Sequence, residues 1–304
     1  MVISGFSFIR NGNKLNYPFR EAFLSILPVC DELVVAVGKS DDWTREAVEA
    51  LDEPKIKIID TVWDDALRVG GKILAQQTNV ALDAIKGKWG FYIQGDEVIH
   101  ENDLQRVRLA AEKYADDPTV DGLLFDYLHF YGNFNFIRDR YSKRAYPHEI
   151  RLVKNNPKIR SYRDAQGFRK FNDPRNYENE EGQKLNVVKI DATVFHYGMV
   201  RSAEKELERQ KEFNKLWHAD DWVSNRFDGK TAYAYNSDEA LERFTGSHPA
   251  VMAQRIREQN WDFDYHPNKL EEPFRYKFKR RVGKMLAKRL FDYRNYNVVG
   301  SYNG

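Results

Sequence analysis

Two adjacent carboxylates follow a short apolar run in the first half of the chain. Asp96 and Glu97 come after Trp89 to Ile93, and Gln94 and Gly95 lie between. Carboxylates beside a core cost free energy unless they are paired, hydrated or bound to a cation. Magnesium and manganese favour hard oxygen ligands and can bridge a carboxylate to the oxygens of a diphosphate. The pattern is therefore consistent with a diphosphate and metal site, and also with a hydrated turn or a helix cap.

The usual motifs of several other chemistries are missing. No G-x-G-x-x-G follows the first strand-like segment and no G-x-x-x-x-G-K-[ST] occurs, so neither dinucleotide binding nor P-loop phosphoryl transfer is indicated. The sequence has no G-x-S-x-G elbow of a hydrolase and no H-E-x-x-H zinc motif. The single cysteine, Cys30, excludes an internal disulfide and a multi-cysteine zinc site. We expect Cys30 to be a buried, unreactive thiol.

Composition narrows the class of protein. The 304 residues are 42% hydrophobic and 31% charged, which is typical of a soluble globular chain. The net charge of +2 provides no overall field for nucleic acid, so we expect no nucleic-acid partner. The N-terminus does not resemble a signal peptide, and no apolar run approaches the ~20 residues of a membrane span. These features lead us to expect a cytoplasmic protein.

Strand-like and helix-like segments alternate through the first half of the chain. Apolar runs typical of buried strands lie at residues 2–9, 33–37, 55–59 and 89–93. This alternation predicts an α/β fold with a mostly parallel sheet flanked by helices. Polar clusters follow three of the runs, at residues 10–13, 38–42 and 94–97. Because ligands bind at the carboxyl edge of such sheets, we expect these clusters to converge there.

The later part of the chain is more helical and more basic. We expect residues 1–200 to form a catalytic domain and residues 201–304 to form a helical C-terminal extension. The tail from 274 to 296 is rich in Lys and Arg, and its apolar residues fall close to one helical face. Such a helix either packs on the domain or lies on anionic lipid head groups. The second alternative implies peripheral attachment to the inner face of the membrane.

Several segments, taken in order, resemble the family 2 glycosyltransferases of the GT-A fold. The first strand and the turn after it contain SFIRNGN. The family's D-G-S-x-D-x-T stretch is matched by VGKSDDWT, and its R-N-x-A-x-x-x-A-x-G-x-W helix by QTNVALDAIKGKW. The strand that ends in the metal-binding D-x-D, often continued as D-x-D-E, is matched by GFYIQGDEVI. The resemblance covers roughly residues 3 to 105, and EIRLVKN, SYRDAQGFR and VFHYGMVR resemble later segments of one bacterial branch.

The resemblance implies a GT-A-like, Rossmann-like fold and an inverting transfer of a sugar from a nucleotide-diphosphate donor. The implied acceptor is a glycan or a lipid-linked saccharide of the cell envelope, and the implied cofactor is Mn²⁺ or Mg²⁺. Residues that match the donor-binding positions are Asn11, Ser40, Asp42, Thr44, Asn79, Gln94, Gly95 and Asp96. The metal ligands implied are Asp96, Glu97 and His196.

Some positions depart from the family pattern or allow a second interpretation. Gln94 replaces the first Asp of D-x-D, which removes a charge from the metal site. Val37 and Gly38 replace acids that help to hold the base, so the identity of the base is open. The segment around Asp42 could instead cap the following helix, with Ser40 or Asp41 at the N-cap.

An inverting transferase requires a base that deprotonates the acceptor. The family places an acid after the central sheet, which points to Asp164 and, as a second choice, to Glu149. Asp164 could also be a loop acid paired with Arg163 or Arg169. His196 could be a metal ligand, a diphosphate contact or a hydrogen-bonded core histidine.

Two other functions stay open from the sequence. One is a sugar nucleotidyltransferase on a related scaffold, although SFIRNGNK lacks the Gly-rich N-terminal signature of that class. The other is a non-catalytic carbohydrate-binding or assembly protein, which the replacement by Gln94 would suit.

Overall fold

The computed structural model shows an α/β protein and describes residues 2–64, 67, 69–235, 239–265, 270–290 and 294–303. Its strands are β1 (Ile3–Ile9), β2 (Glu32–Gly38), β3 (Ile56–Thr61), β4 (Trp89–Tyr92), β5 (Glu97–Ile99), β6 (Gly122–Arg138), β7 (His148–Lys154), β8 (Ile159–Tyr162), β9 (Gly167–Lys170), β10 (Gln183–Val200), β11 (Leu241–Arg243) and β12 (Tyr296–Tyr302). Its helices are α1 (Phe19–Ile26), α2 (Thr44–Glu49), α3 (Lys72–Asp83), α4 (Glu101–Lys113), α5 (Ala203–Asn214), α6 (Asp220–Phe227), α7 (Ala253–Arg257) and α8 (Phe274–Met285).

Strands β1 to β4 form the parallel part of the sheet. They lie in the order β3-β2-β1-β4, and each neighbouring pair is parallel. Strands β2 and β4 are buried along their whole length, as expected when both faces of a sheet are covered. Helices α1 and α4 pack on one face and α3 packs on the other. The predicted α/β class, with a mostly parallel sheet flanked by helices, is confirmed.

Antiparallel strands join the sheet in its second half. Strand β4 pairs antiparallel with β7 and β7 with β6, whereas β6 and β10 are parallel. The 18-residue strand β10 also pairs with β5, β9 and β12. In the β5 pairing, His196 lies opposite Glu97. The long strand therefore carries His196 to the segment that follows β4.

Cys30 lies in the core between α1 and β2. It is 2% exposed, and burial raises the pKa of its thiol. A buried thiol that stays protonated is a poor nucleophile. The expectation of a buried, unreactive cysteine is confirmed.

The chain after residue 200 adds strands as well as helices. Strand β11 pairs with β6, and β12 pairs with β10. The division into two domains at residue 200 stays a prediction. Within the residues that the structure describes, no helix combines the length and apolar character needed to cross a membrane.

Helix α8 is attached to the domain through its charged side. Arg280 Nη1 lies 3.0 Å from Asp139 Oδ2, and Lys284 Nζ lies 2.8 Å from the same oxygen. Phe274 and Phe278 point away from the domain and are 82% and 58% exposed. Packing of the apolar side on the domain, the first alternative from the sequence, is therefore wrong, because ion pairs to Asp139 fix the opposite orientation.

Candidate functional site

A cavity of about 830 Å³ opens where the parallel strands end. It is lined by Arg10 and Asn11 after β1, by Trp63 after β3, and by residues 94–96 after β4. The parallel pairing of these strands places their carboxyl ends at one edge. The predicted convergence of the polar clusters after β1 and β4 is confirmed.

Asn11 connects the ends of β1 and β2. Its backbone N–H donates to Ser40 Oγ at 3.0 Å, and its Oδ1 accepts from the N–H of Asp41 at 3.0 Å. Its φ of +52° is a left-handed conformation that asparagine adopts more readily than most residues. Asn11 lines the cavity, whereas Ser40 lies outside the lining and holds Asn11 in place.

Asp42 and Thr44 support the turn that follows β1. Asp42 Oδ2 accepts from the N–H of Lys14 at 2.6 Å, and Thr44 Oγ1 accepts from the N–H of Gly12 at 2.8 Å. Neither residue lines the cavity. Helix α2 begins at Thr44 without a side-chain N-cap, so the alternative of capping by Ser40 or Asp41 is wrong. In this structure Asp42 and Thr44 act on the cavity only through the shape of the turn that contains Asn11.

Asn79 lies on α3, away from the cavity. Its amide donates to the carbonyl of Ser161 at 3.0 Å and accepts from the N–H of the same residue at 2.9 Å. This pair of bonds ties α3 to β8, the strand that precedes Asp164. Asn79 therefore positions the loop that carries Asp164, and it does not line the cavity.

Gln94 lines the cavity and is held in place through its amide nitrogen. Its Nε2 donates to the carbonyl of Ala165 at 3.2 Å and to the Tyr92 hydroxyl at 3.2 Å. A backbone carbonyl only accepts, so the nitrogen must face Ala165 and Oε1 must face the other way. Gly95 also lines the cavity, and a side chain there would come within 3.0 Å of Ile9.

A chain of hydrogen bonds fixes the orientation of His196. The Tyr146 carbonyl accepts at 2.8 Å from His129 Nε2, which must therefore carry a proton. Burial lowers the pKa of His129 well below its usual value, so this ring is neutral and its Nδ1 accepts. His196 Nδ1 lies 2.9 Å from that atom and is the donor. The other ring nitrogen of His196, Nε2, faces Asp96 and lies 3.6 Å from its Oδ2.

Asp96 is ionised at the cavity wall. Burial raises the pKa of this carboxyl, but His196, Arg209 and Arg201 outweigh that effect and lower the pKa to about 2. Asp96 and His196 lie within 4 Å of each other, and Gln94 lines the same cavity, so a carboxylate, an imidazole and an amide are available to a cation there. Mn²⁺ and Mg²⁺ accept such ligands and take further ones from substrate phosphates. The residues therefore fit a nucleotide-bound cation, although the described residues contain no group of three His, Cys, Asp or Glu that could hold one alone.

Glu97 is committed to a buried ion pair. Its Oε1 lies 2.6 Å from Arg151 Nη2 and its Oε2 lies 2.8 Å from Arg151 Nε. The Tyr127 hydroxyl donates to Oε1 at 2.7 Å, and the side chain is fully buried outside the cavity lining. Breaking such a pair leaves an uncompensated charge, which costs about 3–5 kcal/mol. In this arrangement Glu97 is not available as the metal ligand that the family resemblance implies.

Arg209 of α5 is a cavity residue that the sequence did not indicate. Its Nη1 is buried and has no hydrogen-bond partner among the described residues, and its charge lies close enough to Asp96 to lower that pKa. Its Nε lies 3.8 Å from Glu206 Oε2. Glu206 is three residues earlier on the same helix, and this spacing is common for ion pairs on helix surfaces, so the sequence alone does not mark Arg209 as special. Only the packing of α5 against the sheet distinguishes Arg209. A guanidinium at the wall of a cavity can bind the oxygens of a phosphate group.

Aromatic side chains also line the cavity, near the ends of β1 and β3. The Trp63 ring lies 6.1 Å from the Phe8 ring, and the Arg10 guanidinium lies 5.1 Å from its centroid. The indole Nε1 is buried without a hydrogen-bond partner among the described residues. Trp63 was not identified from the sequence, because a tryptophan after a strand has no characteristic spacing.

Asp164 lies between this cavity and a second one of about 1270 Å³. Burial raises its pKa above the usual value, and Arg169, one of the two partners that the sequence allowed for it, contacts Glu181 at 3.9 Å instead. Glu149 lines only the second cavity. Its Oε2 is buried without a hydrogen-bond partner among the described residues, and burial raises its pKa to about 8 against the attraction of Arg151.

Comparisons with known proteins find similarity in structure only. No family model matches the sequence, and no curated protein matches it. Among solved structures, residues 1–349 of TarS from S. aureus are 15% identical, with a TM-score of 0.39 over 74% of this chain and 68% of that chain. The mannosyltransferase PcManGT from Pyrobaculum calidifontis, in complex with GDP-Man and Mn²⁺, is 23% identical, with a TM-score of 0.31 over 40% and 34%. A nucleotidyl transferase from Methanothermobacter thermautotroptrophicus is 14% identical, with a TM-score of 0.30 over 51% and 72%. At these scores, function has to be argued from the site itself.

Proposed function

We propose that this protein is a glycosyltransferase that takes a sugar from a nucleoside diphosphate donor. The observation that carries the proposal is that Asp96, His196 and Gln94 line one cavity together with Arg209, whose charge lowers the pKa of Asp96. A diphosphate needs both a cation site and a direct cationic partner, and this cavity offers the two side by side.

The cavity is lined by groups suited to the diphosphate and to the nucleobase of such a donor. The diphosphate would lie at Asp96 and Arg209, and the nucleobase would stack near Trp63 and Arg10. A Mn²⁺ or Mg²⁺ ion held by Asp96, His196 and Gln94 would neutralise charge on the departing diphosphate. Asn11 lines the same cavity.

The position of Asp164 supports direct displacement with inversion. Its carboxylate takes the proton of the acceptor hydroxyl, while the acceptor oxygen bonds to the anomeric carbon. The bond from that carbon to the diphosphate oxygen breaks, and the nucleoside diphosphate leaves toward Arg209. A base for this step must reach donor and acceptor together, and Asp164 lines both cavities. Its raised pKa moves it toward the working pH, which favours a general base.

Calorimetric titration of UDP, GDP, CDP and dTDP, with and without Mn²⁺, tests the donor site. We expect one nucleotide to bind in a metal-dependent manner, and D96N to remove that dependence. The variant D52N is the matched control, because Asp52 is exposed and lies outside the cavity lining. No binding by a folded protein, or equal binding by D96N and wild type, contradicts the donor site.

The reaction products distinguish a glycosyltransferase from a sugar nucleotidyltransferase and from a non-catalytic protein. Release of nucleoside diphosphate with sugar transfer supports the transferase, whereas release of pyrophosphate indicates a nucleotidyltransferase. Donor binding without transfer or hydrolysis indicates the non-catalytic protein.

We also propose that α8 lies on an anionic lipid surface. Phe274, Phe278 and Met285 are 82%, 58% and 76% exposed on the side that faces away from the domain. The exposed basic residues Arg275 and Arg281 share this helix. Exposed aromatic side chains beside basic ones are typical of helices that bind at the membrane interface, where the acidic head groups supply the complementary charge. A lipid-linked or other cell-envelope saccharide would then be within reach as acceptor.

A further inference from the structure

The second cavity differs in charge from the donor cavity beside it. The donor cavity contains the carboxylates of Asp96, Asp164 and Glu212 within its wall. The acidic side chains among the described residues that line the second cavity are Glu149 and Asp164. Around them lies a basic rim, which we define as Arg140, Lys143, Arg144, Arg163, Lys288 and Arg289.

This concentration of positive charge is local. The whole chain carries a net charge of only +2. Some basic side chains elsewhere on the surface are paired, as Lys88 is with Asp116 at 2.7 Å and Arg108 with Glu112 at 3.0 Å. The rim is therefore not the result of a generally basic surface.

Part of the rim has no carboxylate partner. Arg144 pairs with Glu239 at 3.0 Å. Across the described ranges, no carboxylate lies within 4.0 Å of the charged groups of Arg140, Arg163 or Lys288, all of which are exposed. Like charges gathered in this way repel one another, and an anion that binds among them relieves the repulsion.

The wall of the second cavity suits a sugar ring as well as an anion. Tyr141, Tyr146, Tyr162 and Trp217 supply aromatic surface. The Trp217 indole Nε1 is buried with no hydrogen-bond partner among the described residues. Aromatic faces of this kind can hold a saccharide by packing against its ring.

We infer that the second cavity binds an anionic saccharide, whose phosphate or carboxylate groups contact the basic rim and whose hydroxyl faces Asp164. Guanidinium groups bind both kinds of anion through paired N–H donors, so the rim needs no bridging cation. Naming this saccharide the acceptor rests on the proposed transferase function. The binding of an anionic saccharide does not depend on that function.

The test compares binding of three soluble probes to the full-length protein in EDTA. Maltotetraose is the neutral saccharide, tetragalacturonate carries carboxylates on the glycan, and farnesyl diphosphate carries the diphosphate of a lipid carrier. We expect an anionic probe to bind at least about tenfold more tightly than maltotetraose and to lose that advantage in R140E/K288E, where rim charge is reversed. Preference for tetragalacturonate places the anion on the glycan, and preference for farnesyl diphosphate places it on the carrier.

The matched control is K86E/R257E, which changes the net charge equally at exposed residues outside both cavity linings. The inference is overturned if neither anionic probe binds, if maltotetraose binds as tightly, or if R140E/K288E binds like K86E/R257E. Metal-dependent nucleotide binding is measured on the same protein preparations in a separate buffer without EDTA, to which Mn²⁺ is added. Its absence in the wild type counts against the donor site alone, and its persistence in R140E/K288E shows that this variant is folded.

Discussion

At the scale of single residues, Gly198 leaves room beside Asp96 and His196, the pair that we propose to bind a metal ion. A Cβ at this position would lie 2.6 Å from His196 Nε2 and 2.9 Å from Asp96 Oδ2. We expect G198A to push these atoms apart and to weaken metal-dependent nucleotide binding by roughly tenfold, which corresponds to about 1.4 kcal/mol. Calorimetry with and without Mn²⁺ measures the effect. The control is G300A, where the nearest atom would lie at an ordinary contact distance of 3.8 Å; equal affinities in the two variants would remove Gly198 from the site.

The proposed base makes a second prediction at this scale. Changing Asp164 to Asn removes the proton acceptor but keeps the size of the side chain. We expect D164N to reduce the transfer rate by about 10²–10⁴-fold while nucleotide affinity stays within error, since base catalysis contributes about that factor. Rate measurements at saturating donor, paired with calorimetry, separate the two effects. If E149Q loses transfer and D164N retains it, Glu149 is the base.

Glu149 should also leave a signature in stability. Its pKa is 4.5 in the unfolded reference and about 8 in the folded protein. Between these values the folded state binds more protons than the unfolded state, so stability falls as the pH rises from 4.5 to 8. We expect E149Q to abolish this decline and to gain about 5 °C in melting temperature at pH 8 relative to its gain at pH 5. Melting curves across this range test it, with the exposed E53Q as control; parallel curves for wild type and E149Q would contradict the raised pKa.

The sequence identified some site residues and not others, for physical reasons. Asp96 and Gln94 could be predicted from the sequence because they follow a strand, and the end of a strand fixes their position in the sheet. Glu97 was adjacent in sequence, but its buried partner Arg151 is 54 positions away and no spacing reveals it. Arg209 and Trp63 enter the cavity through the packing of separate elements. Sequence patterns therefore located the residues at strand ends, and missed those that depend on tertiary contacts.

At the scale of elements, α8 can be tested without truncating the chain. Removing residues after 273 would also remove β12, which pairs with β10. We instead expect F274E/F278E to lose at least half of its sedimentation with vesicles that contain anionic lipid, because two charges replace exposed aromatic surface. The control L109E/V299E changes exposed apolar residues outside α8, which are 45% and 52% exposed in the wild type. Equal sedimentation of both variants would exclude α8 as the contact.

Elements were predicted well where their pattern is local. The buried runs at 33–37 and 89–93 form β2 and β4, because fully apolar strands can only lie inside a covered sheet. The orientation of α8 was not predictable, since it depends on Asp139 far along the chain. Strand β12 was missed for a similar reason, because its partner β10 begins more than a hundred residues earlier.

At the scale of the whole molecule, one long strand links the two proposed binding sites. Its last third pairs with β5 and carries His196 to the first cavity, and its first half pairs with β12 from the end of the chain. The fold class followed from alternating local patterns, whereas the adjacency of the two cavities required this non-local pairing.

The placement of α8 next to the basic rim has a consequence for approach to a surface. Residues 287–289, which line the second cavity, directly follow α8 in the chain. A nearly neutral protein whose positive charge is gathered around one opening carries an electric dipole. Near a negatively charged bilayer, whose field extends about 10 Å at 0.1 M salt, that dipole exerts a torque before any contact forms. In the arrangement we propose, the molecule arrives already turned, with the mouth of the second cavity toward the lipid.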